Sequence, residues 1–328
     1  MAQSLLATLS KTRTLRRGLG RPFLSFNARL WKHIPTPIAE APPLRSYGEF
    51  LHSLVKLRYR RAQNHGTLFL RNRPQLELIQ RHADERAYGA PLRVLVVACS
   101  NGAEVYSIVW KLRRSRPDLK LCATAVDISK EVVEVAREGR YWPRENKLVS
   151  APIFERLTED ERQSLFDVEA DHVRIKSWIR DGIHWNVADA ADPELARRFG
   201  GQDIVVANNF LCHMDPPDAE RCLRNISRSV KPGGLLCVAG VDLNVRAKVA
   251  ADLNWAPVEQ LVEETHDGDP SLRRDWPWRY WGLEPFSRRK RDWRIRYTSV
   301  FRCASSNGLP ETGSEGRPES TPSSAVAR

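Results

Sequence analysis

Short apolar runs separated by longer amphipathic stretches recur through the middle of the chain. Val94 to Ala98 is continuously apolar, as a strand buried on both faces must be. Helical spacing follows over 103–114. A second apolar run over 119–126 leads to a predicted helix over 129–138, with Ser129 placed to cap it. A polar helical stretch over 151–170, a strand near 172–177 and the run from Gly182 to Asn186 continue the series. Ile204 to Ala207 reads as the next strand. Asp215-Pro216-Pro217-Asp218 then announces a helix in which Asp215 caps, Pro216 takes the first position and Asp218 sits on the positive end of the dipole. Lys231-Pro232-Gly233-Gly234 turns into a strand over Leu235 to Ala239, and the alternation of Ile295, Tyr297, Ser299 and Phe301 predicts a last strand over 294–302. Strands alternating with helices over this length specify an α/β fold with a doubly wound, mostly parallel sheet.

Outside this alternation the pattern changes. Phe50, Leu51, Leu54, Val55 and Leu57 recur at helical spacing, and Leu76, Leu78 and Ile79 mark a second amphipathic segment. Residues 1–46 contain Pro35, Pro37, Pro42 and Pro43 and read as a basic flexible arm. A small helical cap segment over 47–88 and a sheet domain over 89–303 follow. Within the latter, 246–292 is a Trp- and Arg-rich insertion or lid, and 304–328 has the Ser, Pro, Gly and Glu content of a disordered tail.

Charge and cysteine content narrow the function classes. The formal charge is +12, and the first 39 residues carry seven Lys or Arg and no acid. That distribution points to an anionic partner for the N-terminal arm: a membrane face, an acidic protein or a targeting receptor. A nucleic-acid target is disfavoured, because charge alone supports it. The six cysteines are scattered without a C-x-x-C pair, which predicts a reducing, cytoplasmic setting and no structural zinc. No apolar run approaches the ~20 residues of a transmembrane helix.

The candidate chemistry lies where the first strand ends. Ala98 to Ser107 reads as a strand end, a tight turn with one glycine and the first turn of a helix, and Asp127 closes the next apolar run. A carboxylate in that place accepts ribose hydroxyls, while the turn backbone approaches the ligand. Gly102 is the position at which a missing side chain would allow that approach. A dinucleotide is disfavoured, because one glycine stands where G-x-G-x-x-G needs three.

These residues resemble the CheR-type S-adenosylmethionine methyltransferases. Ala98-Cys99-Ser100-Asn101-Gly102-Ala103-Glu104-Val105-Tyr106-Ser107 is similar to their G-C-S-x-G-E-E-P-Y-S. Ala125 to Ser129 is similar to A-T-D-I-D, and Ala136 to Tyr141 to A-x-x-G-x-Y. Thr67 to Arg71 matches T-x-F-F-R, Asn208 to Asp215 stands where the family has R-N-V-L-I-Y-F-D, and Lys231 to Gly234 matches x-P-G-G. The resemblance runs in order from Tyr47 to Gly240. It implies a Rossmann-like methyltransferase sheet and S-adenosyl-L-methionine as cofactor. It also implies that Glu104 meets the ligand's ammonium, Asp127 its ribose, and Asn186 with Val187 its adenine. Thr67, Arg71, Ser100, Gly102, Asn208 and Asn209 complete the expected cofactor set.

Of the acceptor-orienting pair implied by the family, Arg71 matches the arginine, whereas His213 stands at the tyrosine. Asn208 replaces a second arginine, and Ala98, Ala103 and Val105 replace Gly, Glu and Pro in the turn. Arg71 and His213 are therefore the candidate catalytic residues. The expected reaction is O-methylation of a carboxylate or hydroxyl, on a protein or small molecule that the sequence does not identify. A scaffold module that kept the fold without catalysis is the alternative.

Overall fold

The computed structural model describes residues 20–56, 66–142, 153–269, 276–278 and 284–304. The expected tail over 304–328 lies outside them beyond Ala304, as do residues 1–19 of the expected arm and Leu57.

The buried apolar runs pair as one seven-stranded sheet. Its strands are β1 (Pro91–Val97), β2 (Lys120–Asp127), β6 (Ile183–Val187), β7 (Gln202–Val206), β8 (Val230–Cys237), β9 (Ala256–Pro257) and β10 (Val300–Arg302), in the order β6-β2-β1-β7-β8-β10-β9. The five strands from β6 to β8 run parallel, whereas β10 is antiparallel to both β8 and β9. The order reverses between β1 and β7. The carboxyl ends of those neighbours bound the crevice where open α/β sheets take their ligands.

Two buried clusters cover the two faces. One side packs Leu92, Val94, Val96, Ile108 and Leu112; the other packs Leu95, Val97, Val205, Leu223 and Val249. Adjacent residues of β1 thus serve opposite faces, which explains its continuous hydrophobicity. The helices on these faces include α5 (Ala103–Ser115), α6 (Lys130–Glu138), α10 (Pro216–Ser227) and α11 (Leu243–Asp252). Ser129 caps α6 through Val132 N, and Pro216 opens α10 after Asp215, as the sequence predicts.

A second, three-stranded sheet is formed by β3 (Arg140–Tyr141), β4 (Phe166–Val168) and β5 (Val173–Ile175) in the order β3-β5-β4. The strand expected near 172–177 therefore belongs to this separate antiparallel sheet. Edge-to-face contacts join Phe69 to Tyr141 and to Phe166, and Phe154 stacks on Phe69. The small sheet is thereby fastened to the segment that carries Thr67 and Arg71.

Two expectations need correction. Residues 20–46 are not a flexible arm: α1 (Gly20–Trp31), α2 (Thr36–Ala39) and α3 (Pro42–Lys56) occupy them. Trp31, Ala39 and Leu51 form a buried cluster with Trp276, and the prolines fall at helix starts, where a missing N–H costs nothing. The last strand is also shorter than its alternation suggests. Trp293 to Tyr297 is a helical turn, and only Val300 to Arg302 pairs. No described helix is long and apolar enough to cross a membrane.

Candidate functional site

One open cavity lies at the carboxyl ends of β1, β2 and β7, at the reversal of strand order. Thr67 and Arg71 wall it from one side, Ser100 and Glu104 from the turn, Asp127 from the end of β2, and Asn208, Asn209 and His213 from beyond β7. These residues from four separated segments of the chain therefore meet in one place.

The turn is held by Asp127. Its buried carboxylate accepts Ser100 N–H at 2.8 Å through Oδ2 and Ser129 N–H at 3.0 Å through Oδ1. Each oxygen keeps lone-pair capacity toward the cavity. Ala98, Ser100 and Gly102 all have left-handed backbone, with φ of 56°, 49° and 88°. Ala98 thus occupies a conformation that favours glycine, a local strain of the kind that collects at binding sites.

Gly102 plays a different part from the one expected. It does not line the cavity; a Cβ there would meet Trp185, Ala136 and Tyr106 at 3.0–3.1 Å. Its need for glycine comes from the left-handed start of α5 and this packing. Asn186 and Val187 also fall outside the cavity wall, and Ala188, Asp189 and Ala190 line it instead. The shift of one to three residues follows from the end of β6 at Val187, beyond which the chain turns across the cavity.

Glu104 opens α5 and is half-buried. Burial raises its carboxyl above the usual range, opposed by the Asn208 hydrogen bond and by the Arg71 charge. Asn208 Nδ2 donates to Glu104 Oε1 at 2.7 Å and to Gln75 Oε1 at 2.7 Å, and its Oδ1 accepts Ala239 N–H at 2.8 Å. Gln75 continues the chain to Ser299 Oγ at 3.3 Å. Asn208 is thus fully engaged in holding Glu104, although it also faces the cavity.

Arg71 is braced from behind. Its Nε pairs with buried Asp269, whose other oxygen accepts Arg156 Nη2 at 2.6 Å. Leu70 N–H donates to Ser107 Oγ at 3.0 Å, which pins the segment onto α5. The Tyr and Ser of the turn motif are therefore structural: Tyr106 is fully buried with its hydroxyl on Ala136 O, and Ser107 anchors the Arg71 segment. His213 lies half-buried on the short 3₁₀ turn Leu211–His213, across the cavity mouth. Asn209 precedes it with φ 61°, and a Cβ at Gly240 would lie 2.6 Å from Asn209 Cα, so Gly240 permits this turn.

Asp269, Arg156, Gln75 and Gly240 are the residues that sequence reasoning missed. Asp269 does fall in the expected insertion over 246–292. Trp276 and Trp278 of that segment pack on Trp31 and do not wall the cavity; the remainder of the aromatic run, 279–282, lies outside the described residues.

The donor set fits S-adenosylmethionine. An anionic Glu104 could meet the ammonium, Asp127 the ribose diol, and Ile128, Ala188 and Ala190 an apolar base face. Buried Asn209 Oδ1 has no hydrogen-bond partner, which leaves an acceptor beside the site. Among the described residues no cluster could hold a metal ion. Burial pushes the Cys99 thiol upward, so it is not a nucleophile at the turn.

Comparison with known proteins identifies the family. The family model described as "CheR methyltransferase, SAM binding domain" matches residues 65–249. A chemotaxis protein methyltransferase of Listeria innocua is 26% identical over 175 residues, which cover 52% of this chain and 63% of that protein. A Pseudomonas putida protein described as "Probable biofilm formation methyltransferase WspC" is 26% identical over 174 residues, covering 52% of this chain and 39% of that one. The chain thus spans less than two thirds of either relative. The CurJ carbon methyltransferase structure overlays with a TM-score of 0.37 at 13% identity, over 70% of this chain and 53% of that one. The overlay is loose, and the assignment of fold rests on the strand order.

Proposed function

The chain belongs to the CheR methyltransferase family through its match over residues 65–249, and we propose that it transfers the methyl group of S-adenosylmethionine to an oxygen acceptor, a carboxylate or hydroxyl. The observation that carries this reading is the braced Arg71 guanidinium, held by Asp269 at the wall of the same cavity as Glu104 and Asp127.

When bound, S-adenosylmethionine supplies a methyl group on a sulfonium sulfur, which leaves as a neutral thioether. Asp127 and Glu104 fix the two ends of the cofactor, the first by the ribose hydroxyls and the second by charge. Arg71 donates through Nε to Asp269 and through Nη1 to Gly66 O at 3.4 Å, and its remaining donor capacity faces the acceptor, whose oxygen it orients for in-line attack. A carboxylate acceptor is ionised near neutrality and needs no base. His213, across the cavity mouth, orients a carboxylate when protonated or takes the proton of a hydroxyl when neutral. The acceptor is a protein side chain or small molecule, and the enzyme acts in the cytoplasm.

The test is methyl transfer from labelled cofactor to proteins and small carboxylates of a cell lysate. Label that is released as methanol in mild alkali identifies a methyl ester. The reading predicts such label, or alkali-stable label in an O-methyl ether where the acceptor is a hydroxyl, in either case strongly reduced in Arg71→Ala. Label carried on nitrogen, carbon or sulfur in every acceptor, or no transfer at all, contradicts it; the latter outcome favours the scaffold alternative.

A further inference from the structure

The helix α1 is amphipathic twice over. Leu24, Asn27 and Trp31 form one stripe, with Trp31 edge-on to Trp276 at 5.8 Å and Asn27 accepting Tyr47 Oη–H at 2.6 Å. That stripe seats the helix on the protein. A second stripe, Phe23, Phe26 and Leu30, recurs at spacings of three and four on a different face. These side chains are 40%, 63% and 51% exposed, and Ile38 on α2 adds another at 51%. Large apolar side chains exposed singly are ordinary, but a continuous helical row of them marks an interaction surface.

Charge decides what covers the row. Arg29, Lys32 and His33 are exposed beside it, and the first 39 residues hold seven Lys or Arg and no acid. A second copy of this chain on the same face would bring two wholly basic segments together. Nucleic acid would meet the charges but leave the phenyl rings in water. A bilayer with anionic headgroups satisfies both at once: apolar side chains enter the acyl boundary while the basic side chains stay among the phosphates.

We propose that α1 docks this protein on an anionic phospholipid surface, lying in the plane of the interface. Its 12 residues form a rod of ~18 Å, with Phe23, Phe26 and Leu30 as the inserted row. This inference is independent of the acceptor and of the chemistry in the cavity.

The test is co-sedimentation of the full chain with vesicles of phosphatidylcholine alone or with about 30% phosphatidylglycerol. Binding to the anionic vesicles is expected to be at least about tenfold stronger, and to fall steeply as salt is raised. Phe26→Asp and the double change Phe26→Asp, Leu30→Asp should each reduce it by about tenfold or more. Neither should alter the thermal melt or adenosylhomocysteine binding, because these side chains are largely exposed and do not line the cavity. Equal binding to both vesicles, no binding, or binding unchanged by Phe26→Asp would overturn the proposal. So would a dimer in lipid-free solution that Phe26→Asp splits, since the row would then be a protein interface.

Discussion

Asn208 Nδ2 stands 2.7 Å from Glu104 Oε1, and this bond ties the end of β7 to the start of α5 across the cavity. Burial raises the Glu104 carboxyl, and the amide donor opposes that rise. The family carries arginine at the position of Asn208. Here an uncharged donor holds the acid without neutralising it, which leaves its charge for a cationic ligand.

A pH dependence follows from this pair. The ligand's ammonium binds the ionised form, so adenosylhomocysteine affinity should rise with pH until it passes the raised pKa of Glu104, then level off. Asn208→Ala removes the opposing donor and should shift the rise to higher pH, with about tenfold weaker binding at neutrality. Glu104→Gln should weaken binding at neutral pH by a similar factor or more and flatten its pH dependence. Calorimetric titration across the acid range checks both.

The backbone of the turn makes a prediction of opposite signs at two positions. Ala98 has φ 56°, so Ala98→Gly should relieve strain and raise stability by up to about 1 kcal/mol. Gly240 has φ 59° and lies against Asn209, so Gly240→Ala should destabilise by about 1–3 kcal/mol and weaken ligand binding. Denaturant unfolding of both variants measures the two shifts.

Acid stability should depend on Glu284. Burial pushes its carboxyl up, but Arg296 Nε at 2.7 Å, Tyr297 Oη at 2.7 Å and Lys290 Nζ at 3.0 Å outweigh this and hold it down at about 2. With an unfolded value of about 4.3, its contribution is complete above that pH and is lost as pH falls toward 2. Glu284→Gln should cost about 2–3 kcal/mol at neutral pH and remove that part of the acid sensitivity. Urea unfolding at pH values above and below this range provides the comparison.

The parallel sheet was legible because its strands are buried on both faces, so apolar runs such as 94–98 have no other stable home. Asp127, Glu104 and Arg71 could be brought to one cavity from the sequence because their identities and order match a family pattern, and His213 because it stands where that pattern has tyrosine. Asp269 and Gln75 could not, because each acts through a partner distant in sequence, 198 residues away for Asp269 and Arg71. Such pairings leave no local periodicity. The helices α1 and α2 and the first turn of α3 were hidden by proline, which reads as a linker unless it falls in a first helical turn. The left-handed Ala98 was invisible in composition, because only the fold forces a residue with a Cβ into that conformation.

The claim that this cavity binds the cofactor through Asp127 is tested most directly by calorimetric titration of the full chain with adenosylhomocysteine. The intact protein should show a single saturable site. Asp127→Ala should abolish it, since the change removes both the ribose acceptor and the carboxylate that fixes Ser100 and Ser129. A cooperative melt of the variant establishes that it is folded. No binding to the intact chain, or unchanged affinity in folded Asp127→Ala, would contradict the account.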